Sequence, residues 1–245
     1  MSIRVDQALV DRGLCESREK AKRAVMAGAV KINDHPARKP SDTVKPADQL
    51  ALTAEEKYVS RGGHKLEHAL AHFQISPAGL TAIDLGASTG GFTDVLLSRG
   101  AARVVALDVG HNQLDWKIRT DPRVVVIEHR NARELVSDWL PGPVDIVTID
   151  VSFISLRLIL PAVPAVMNRD GHVVALVKPQ FEAGRDEVGR GGLVLDTAVH
   201  DAVLARVTAA AAACGLDRAG MTPSAITGAT GNQEYFLHLR LNTSS

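Results

Sequence analysis

Cysteine, aromatic residues and net charge are all scarce in this chain. Only Cys15 and Cys214 occur in 245 residues, far apart and without a CxxC neighbour. That excludes a disulfide framework and argues against a zinc site. Aromatic residues make up 4%, so contact with nucleic acid is expected to run through charge and shape rather than a stacking platform. Lys+Arg and Asp+Glu are both 28, a formal balance of zero. A histone-like polycation is thereby excluded; a local basic patch is not. The longest run free of these charged residues is His68–Ile83, 16 residues that include two histidines and a proline, which is no membrane span. The opening MSIRVDQALV lacks a basic segment leading into an apolar one, so no secretion signal is expected. With 45% apolar residues a sizeable core is available, and the expectation is a soluble, cytoplasmic protein.

What charge there is lies unevenly. Residues 1–60 hold 11 Lys+Arg against 9 Asp+Glu, whereas residues 61–245 hold 17 against 19. The stretch SREKAKRAV (17–25) carries four positive charges and one negative. Residues 1–13 read as a short helix with Val5, Ala8 and Leu9 inside, stopped at Gly13. Ser17 is placed to cap a second helix ending at Gly28, and AVKIND and DQLALT read as strands about a turn at Asp34-His35-Pro36. A small α+β domain over 1–53, a linker over 54–60 and a larger domain over 61–245 are therefore expected.

From Arg61 onward strands and helices alternate. Helices are predicted at 62–73, 91–100, near 112–119, near 132–139, 155–167 and 197–215. Strands are predicted at 81–86, 103–110, 123–130, 145–152 and 172–181, with two strand-like segments, 224–228 and 234–241, at the end. Continuous apolar runs such as VVAL and DIVTI suit strands covered on both faces. The pattern is that of an α/β fold with a doubly wound, mostly parallel seven-stranded sheet, its last two strands forming an antiparallel edge.

Two features of this sheet point to a ligand. The strand TAIDL runs into Gly86-Ala87-Ser88-Thr89-Gly90-Gly91 and then a helix, where small residues let backbone approach a ligand and a helix N-terminus offers free amides. About 20 residues on, Asp108 ends the next strand, where a carboxylate accepts hydrogen bonds from ribose hydroxyls. Taken alone, these would suit a dinucleotide. Separately, Asp150 and Lys178 each end an apolar strand, so both fall at the carboxyl edge of a parallel sheet; a lysine straight after VVALV is costly unless paired or functional. Lys65 lies on the helix leading into the domain and Glu234 opens the last strand.

The spelling D-x-G-A-S-T-G-G resembles the S-adenosylmethionine loop of class I methyltransferases, with Asp84 and Gly86 as its anchor pair. The set Lys65, Asp150, Lys178 and Glu234 resembles the K-D-K-E tetrad of FtsJ-type ribose 2′-O-methyltransferases. The stretches YVSRGGHKLEHAL, DLGASTGGFTDVLL, ALDVGHNQLDWKIR, IDVSFISL, VKPQFEAGR and GNQEYFLHL are similar to the TlyA (hemolysin A) family. The N-terminal part, with Arg4, Ser17-Arg18, Gly28 and Val30-Lys31-Ile32-Asn33, resembles an RNA-binding domain of the ribosomal protein S-four type. Lys57-Tyr58-Val59-Ser60 sits at the interdomain linker of the TlyA family.

The resemblance implies a Rossmann-like methyltransferase using S-adenosylmethionine on ribosomal RNA or ribosomal subunits, at cytidine 2′-oxygens, without a metal. It implies cofactor contacts at Asp84, Gly86, Ala87, Ser88, Thr89, Gly90, Asp108 and Asn131. RNA contacts fall to Arg4, Arg18, Lys20, Lys22 and Arg23, with Arg61, Arg185 and Arg190 bordering the groove; the Gly-rich loop 183–192 either folds over the RNA or is simply a flexible connection. Lys178 is the expected base, helped by the second cation Lys65, oriented by Asp150, with Glu234 holding Lys65 or the ribose. Three rivals are weighed against this. A small-molecule methyltransferase has no need of a basic N-terminal module, and a non-catalytic RNA-binding protein has no need of Lys178. A membrane lysin needs spanning helices or a barrel of alternating strands.

Overall fold

The structure, a computed structural model, describes residues 2–26, 29–52 and 57–242, the Arg23 side chain excepted. Two compact units divide between Lys57 and Tyr58. The N-terminal unit runs β1 (Ile3–Arg4), α1 (Val5–Asp11), α2 (Arg18–Met26), β2 (Val30–Ile32), β3 (His35–Pro36), β4 (Thr43–Val44) and β5 (Leu50–Leu52). The helix expected over 1–13 is thus shorter, because Ile3–Arg4 pairs antiparallel with Thr43–Val44 before the chain turns helical. β2 lies between β3 and β5. The turn into β3 is made by Asn33 and Asp34, both at positive φ (49° and 66°), residue types that tolerate this hairpin conformation. Val5, Ala8 and Leu9 pack with Ala21, Val25, Val30 and Val44 in the unit's core. The expected helix stop Gly28 and the linker residues 54–56 lie outside the described residues.

The larger unit opens with α3 (Gly62–His72), then β6 (Thr81–Leu85), α4 (Gly91–Ser98), β7 (Arg103–Leu107), α5 (Trp116–Arg119) and β8 (Val124–Ile127). β9 (Val144–Ile149), β10 (Met167–Val177), α6 (Pro179–Glu182), α7 (Thr197–Ala213), β11 (Leu216–Pro223) and β12 (Tyr235–Leu241) complete it. Seven strands form one open sheet in the order β11-β12-β10-β9-β6-β7-β8, parallel except that β12 runs antiparallel to both its neighbours. Alternate residues serve opposite faces. Ile83, Leu85, Val105, Val147 and Val173 join α7 residues Val203 and Val207 in one core layer. Ala82, Val104, Ile146, Val174 and Phe236 join Leu66 and Leu70 of α3 and Val95 and Leu96 of α4 in the other.

Several expected elements differ. The helix read at 155–167 is three separate 3-10 turns, Leu156–Leu158, Leu160–Ala162 and Pro164–Val166. Pro161 and Pro164 remove the amide donors a continuous helix would need. The helix near 132–139 is two such turns, and that near 112–119 shrinks to the four residues of α5. The strand expected to 181 stops at Val177, where Pro179 starts α6. Residues 224–228 form a loop; the strand lies earlier, at β11, on the sheet edge, where one-sided pairing tolerates its Pro223 and polar residues. Tyr58, Val59 and Ser60, expected as linker, fold with the large unit: Tyr58 is buried and the Val59 amide donates to Asp94 Oδ2 at 3.0 Å.

At the sheet's far end His238 of β12 stacks on His172 of β10, with ring centroids 5.1 Å apart and His172 Nδ1 2.9 Å from His238 Nε2. Burial, helped by His172 and Arg240, pushes the His238 imidazole down to about 4. An unfolded chain binds that proton near the ordinary value of about 6.5. Protonation therefore favours the unfolded chain increasingly as pH falls from about 6.5 to about 4. The melting temperature is expected to drop across this window, and His238→Phe to flatten that drop; thermal denaturation at pH 7.5, 5.5 and 4.5 measures both.

Candidate functional site

Parallel strands deliver their C-terminal residues to one edge. Leu85 pairs with Ile149, and Ile149 with Ala175, so Gly86, Asp150 and Lys178 emerge side by side. β12 runs the other way: Tyr235 pairs with Val177, which brings the preceding Glu234 to the same edge. Lys65, in the first turns of α3, reaches this edge from the covering layer. A cleft of about 240 Å³ opens there, and its lining includes Arg61, Lys65, Gly86, Ala87, Ser88, Thr89, Asp150, Ser152 and Lys178.

The four residues of the expected tetrad form two ion pairs. Lys65 Nζ donates to Glu234 Oε2 at 2.5 Å, with side chains 11% and 3% exposed. Lys178 Nζ lies 2.6 Å from Asp150 Oδ1 and donates to Ser152 Oγ at 2.9 Å. Each cation thus keeps its own carboxylate, which limits the cost of holding charge in a half-closed site. Glu234 is itself crowded: a Cβ at Gly228 would come within 2.4 Å of its Oε1.

The glycine loop fits a backbone-hugging ligand. Gly86 has φ +87°, and a Cβ there would meet the Asp150 carbonyl oxygen at 2.6 Å. Gly90, at φ +95°, precedes α4. Asp108 braces the loop, accepting from the Ser88 amide at 2.8 Å and the Gly110 amide at 2.7 Å. Of the expected cofactor residues, Gly86, Ala87, Ser88 and Thr89 line the cleft. Asp84, Gly90, Asp108 and Asn131 are not in that lining. Asp84 is fully buried, accepts from the Thr93 and Thr148 hydroxyls at 2.8 and 2.9 Å, and is pushed up to about 7 by burial. Its place is to tie β6 to α4 and β9 beneath the loop. Asn131 caps a 3-10 turn by accepting from the Arg133 amide.

In the N-terminal unit, Arg4 and Arg18 both grip Asp6, which has no exposed surface. Their guanidiniums, Arg4 first, hold the Asp6 carboxyl down at about 2. Both arginine side chains remain nearly half exposed. Lys20 pairs with Glu16, and Lys22 with Glu19 at 2.8 Å, so the basic stretch is partly neutralised on its own surface. Arg23's side chain is outside the described residues. Arg61 lines the cleft; Arg185 and Arg190 are not in its lining.

The sequence reading missed Ser152, Phe153 and Glu182. Phe153 is 90% exposed, holds a left-handed φ of 63° and leans on Phe181, with centroids 5.1 Å apart. Glu182, buried, accepts from Ser155 Oγ and from the Leu156 amide, both at 2.6 Å. Burial raises its carboxyl above the ordinary value. The only signal in the sequence was the apolar-polar alternation of Asp150-Val151-Ser152-Phe153 straight after a buried strand.

Comparison with known proteins is decisive. The family described as FtsJ-like methyltransferase matches residues 58–241, and the S4 domain matches residues 3–50. The 16S/23S rRNA (cytidine-2′-O)-methyltransferase TlyA of Mycobacterium tuberculosis is 49% identical over 244 residues, which are 98% of this chain and 90% of that protein. The chain belongs to the TlyA family. Hemolysin A of Brachyspira hyodysenteriae, another TlyA-like relative, is 41% identical over 240 residues, covering 96% of this chain and 99% of its own length. A solved structure from Streptococcus thermophilus, described as a candidate hemolysin, is 48% identical with a TM-score of 0.78, covering 99% of this chain and 90% of that one. Among the described residues no helix is long and apolar enough to cross a membrane.

Proposed function

We propose that this chain transfers a methyl group from S-adenosylmethionine to the ribose 2′-oxygen of cytidine in ribosomal RNA. The observation that carries this reading is the convergence of Lys65, Asp150, Lys178 and Glu234, as two ion pairs, beside a loop whose Gly86 leaves no room for a side chain. We assign the N-terminal unit, residues 1–57, to RNA binding and the larger unit, residues 58–245, to methyl transfer. Large-subunit RNA is the proposed main substrate, with small-subunit RNA as a second.

Gly86, Ala87, Ser88, Thr89 and Gly90 would hold the cofactor, braced from behind by Asp84 and Asp108 and bordered by Asn131. Bound there, S-adenosylmethionine would supply a methyl group already activated on a sulfonium. Lys178, after giving up its own proton to solvent, takes the proton of the 2′-hydroxyl as the oxygen becomes a nucleophile, and Asp150 steadies the ammonium that results. Lys65, held by Glu234, sets positive charge near the oxygen as it loses its proton. Phe153 offers a rigid ring face to a base of the RNA, so stacking adds to the electrostatic contact expected from composition. Arg4, Arg18, Lys20, Lys22 and Arg23 position the RNA through phosphates.

Purified protein, tritiated S-adenosylmethionine and isolated ribosomal subunits test this reading. Label is expected in ribosomal RNA, at a linkage that resists alkali because its 2′-oxygen is blocked. Labelling of small molecules but of no RNA would overturn it. The double substitution Arg18→Ala with Lys22→Ala is expected to weaken RNA binding and flatten its salt dependence, by up to about one unit of log–log slope for each phosphate no longer neutralised. Filter binding at several salt concentrations reads that slope.

A further inference from the structure

The acceptor that meets Lys178 in hydrogen-bonding geometry is not the tetrad carboxylate. Asp150 Oδ1 lies 2.6 Å from Nζ, but the approach is misaligned and the oxygen takes no hydrogen bond from it. The aligned contact is from Lys178 Nζ to Ser152 Oγ, at 2.9 Å. We propose that Ser152 is a positioning residue whose hydroxyl sets the rotation of the Lys178 amine, so that its lone pair faces the ribose hydroxyl. This rests on the function proposed above, with Lys178 as base.

The nitrogen is tetrahedral. With its methylene fixed and one proton directed at Ser152 Oγ, fewer orientations remain for the lone pair, among them one toward the cleft that Ser152 and Lys178 both line. The proton would pass from the 2′-oxygen to the neutral nitrogen as the oxygen's electron pair forms the bond to the methyl carbon and the carbon–sulfur bond breaks, its pair staying on sulfur so that a neutral thioether leaves. A freely rotating amine would reach this alignment only part of the time, and alignment is worth orders of magnitude in rate.

The surroundings hold the serine still. Glu182 accepts from Ser155 Oγ and the Leu156 amide, so the loop carrying Ser152 is clamped to α6. That helix begins at Pro179, the residue after Lys178. Donor and acceptor are thus tied to the same short element. Phe153, next in the chain, rests on Phe181 of that same helix, with ring centroids 5.1 Å apart. A carboxylate supplies a field from any angle, whereas a hydroxyl within hydrogen-bonding reach supplies a direction.

Single-turnover methyl transfer to ribosomal RNA, followed from pH 6 to 10, tests the assignment with wild type, Ser152→Ala, Ser152→Thr and Lys178→Ala. Equilibrium binding of S-adenosylmethionine and of RNA is measured alongside. Ser152→Ala is expected to lose about 10- to 100-fold in rate, with a displaced pH profile and both affinities within about twofold of wild type. Ser152→Thr, which keeps the hydroxyl, is expected to return to within about threefold. A Ser152→Ala rate within about twofold of wild type at every pH, or a loss carried by weaker binding alone, would overturn the inference. If Lys178→Ala transfers normally, the base reading itself fails; if Lys178→Ala is inert and Ser152→Ala is normal, only the role of Ser152 falls.

Discussion

Replacing Lys178 by alanine is expected to lower methyl transfer by about 10²- to 10⁴-fold, the range spanned by a positioned general base. S-adenosylmethionine affinity should hardly change, because the loop Gly86–Thr89 that lines the other side of the cleft does not depend on the lysine. The lysine follows directly on a buried strand and is only 11% exposed, so its removal leaves Asp150 and Ser152 without their cation. Some loss of stability follows from that unpaired carboxylate, and a melting curve separates it from the catalytic effect. Labelled methyl incorporation into ribosomal RNA, beside equilibrium dialysis of the cofactor, gives the two numbers needed. A mutant that methylates at the wild-type rate would remove Lys178 from the chemistry.

Gly86→Ala is expected to be nearly as damaging by a different route. A left-handed backbone disfavours any residue with a Cβ by about 1–2 kcal/mol. Here the added carbon would also sit 2.6 Å from the Asp150 carbonyl oxygen, which is backbone and not the tip of a flexible side chain. Either the loop or the end of β9 must shift. The first movement spoils the cofactor cradle, and the second displaces Asp150 from Lys178. Cofactor affinity is expected to fall by about tenfold or more, at about 1.4 kcal/mol per decade, and transfer at saturating cofactor to fall as well. Calorimetric titration and single-turnover rates distinguish the two losses. Gly79→Ala is the control: it carries the same left-handed strain at φ +75°, but its Cβ would meet nothing within 4 Å.

The parallel strands were legible because strands covered on both faces are largely apolar along their length, and short runs such as Val104–Leu107, set between helical stretches, fit that pattern. Asp150 and Lys178 were legible for a related reason, since charge straight after such a run stands out; Lys65, on a helix, and Glu234, ahead of a strand, carry no such signal and were picked out by the resemblance. Segment 155–167 misled because its apolar spacing is helical while Pro161 and Pro164 forbid the hydrogen bonds, and local chemistry prevailed over pattern. β11 was hidden because an edge strand needs few apolar residues; only Leu216 and Thr222 among its side chains are buried. Arg4 and Arg18 read as free cations because nothing in the sequence says that Asp6 is buried between them. Ser152 and Glu182 were invisible for the same reason, since their partners come from the other end of a strand crossover.

The ion pair between Lys65 and Glu234 joins residues 169 positions apart. Protein synthesis is vectorial, so Lys65 leaves the ribosome long before its partner is translated. No fragment ending before the last strand can form this ion pair, so the edge where the four residues meet is completed only when the end of the chain has been made.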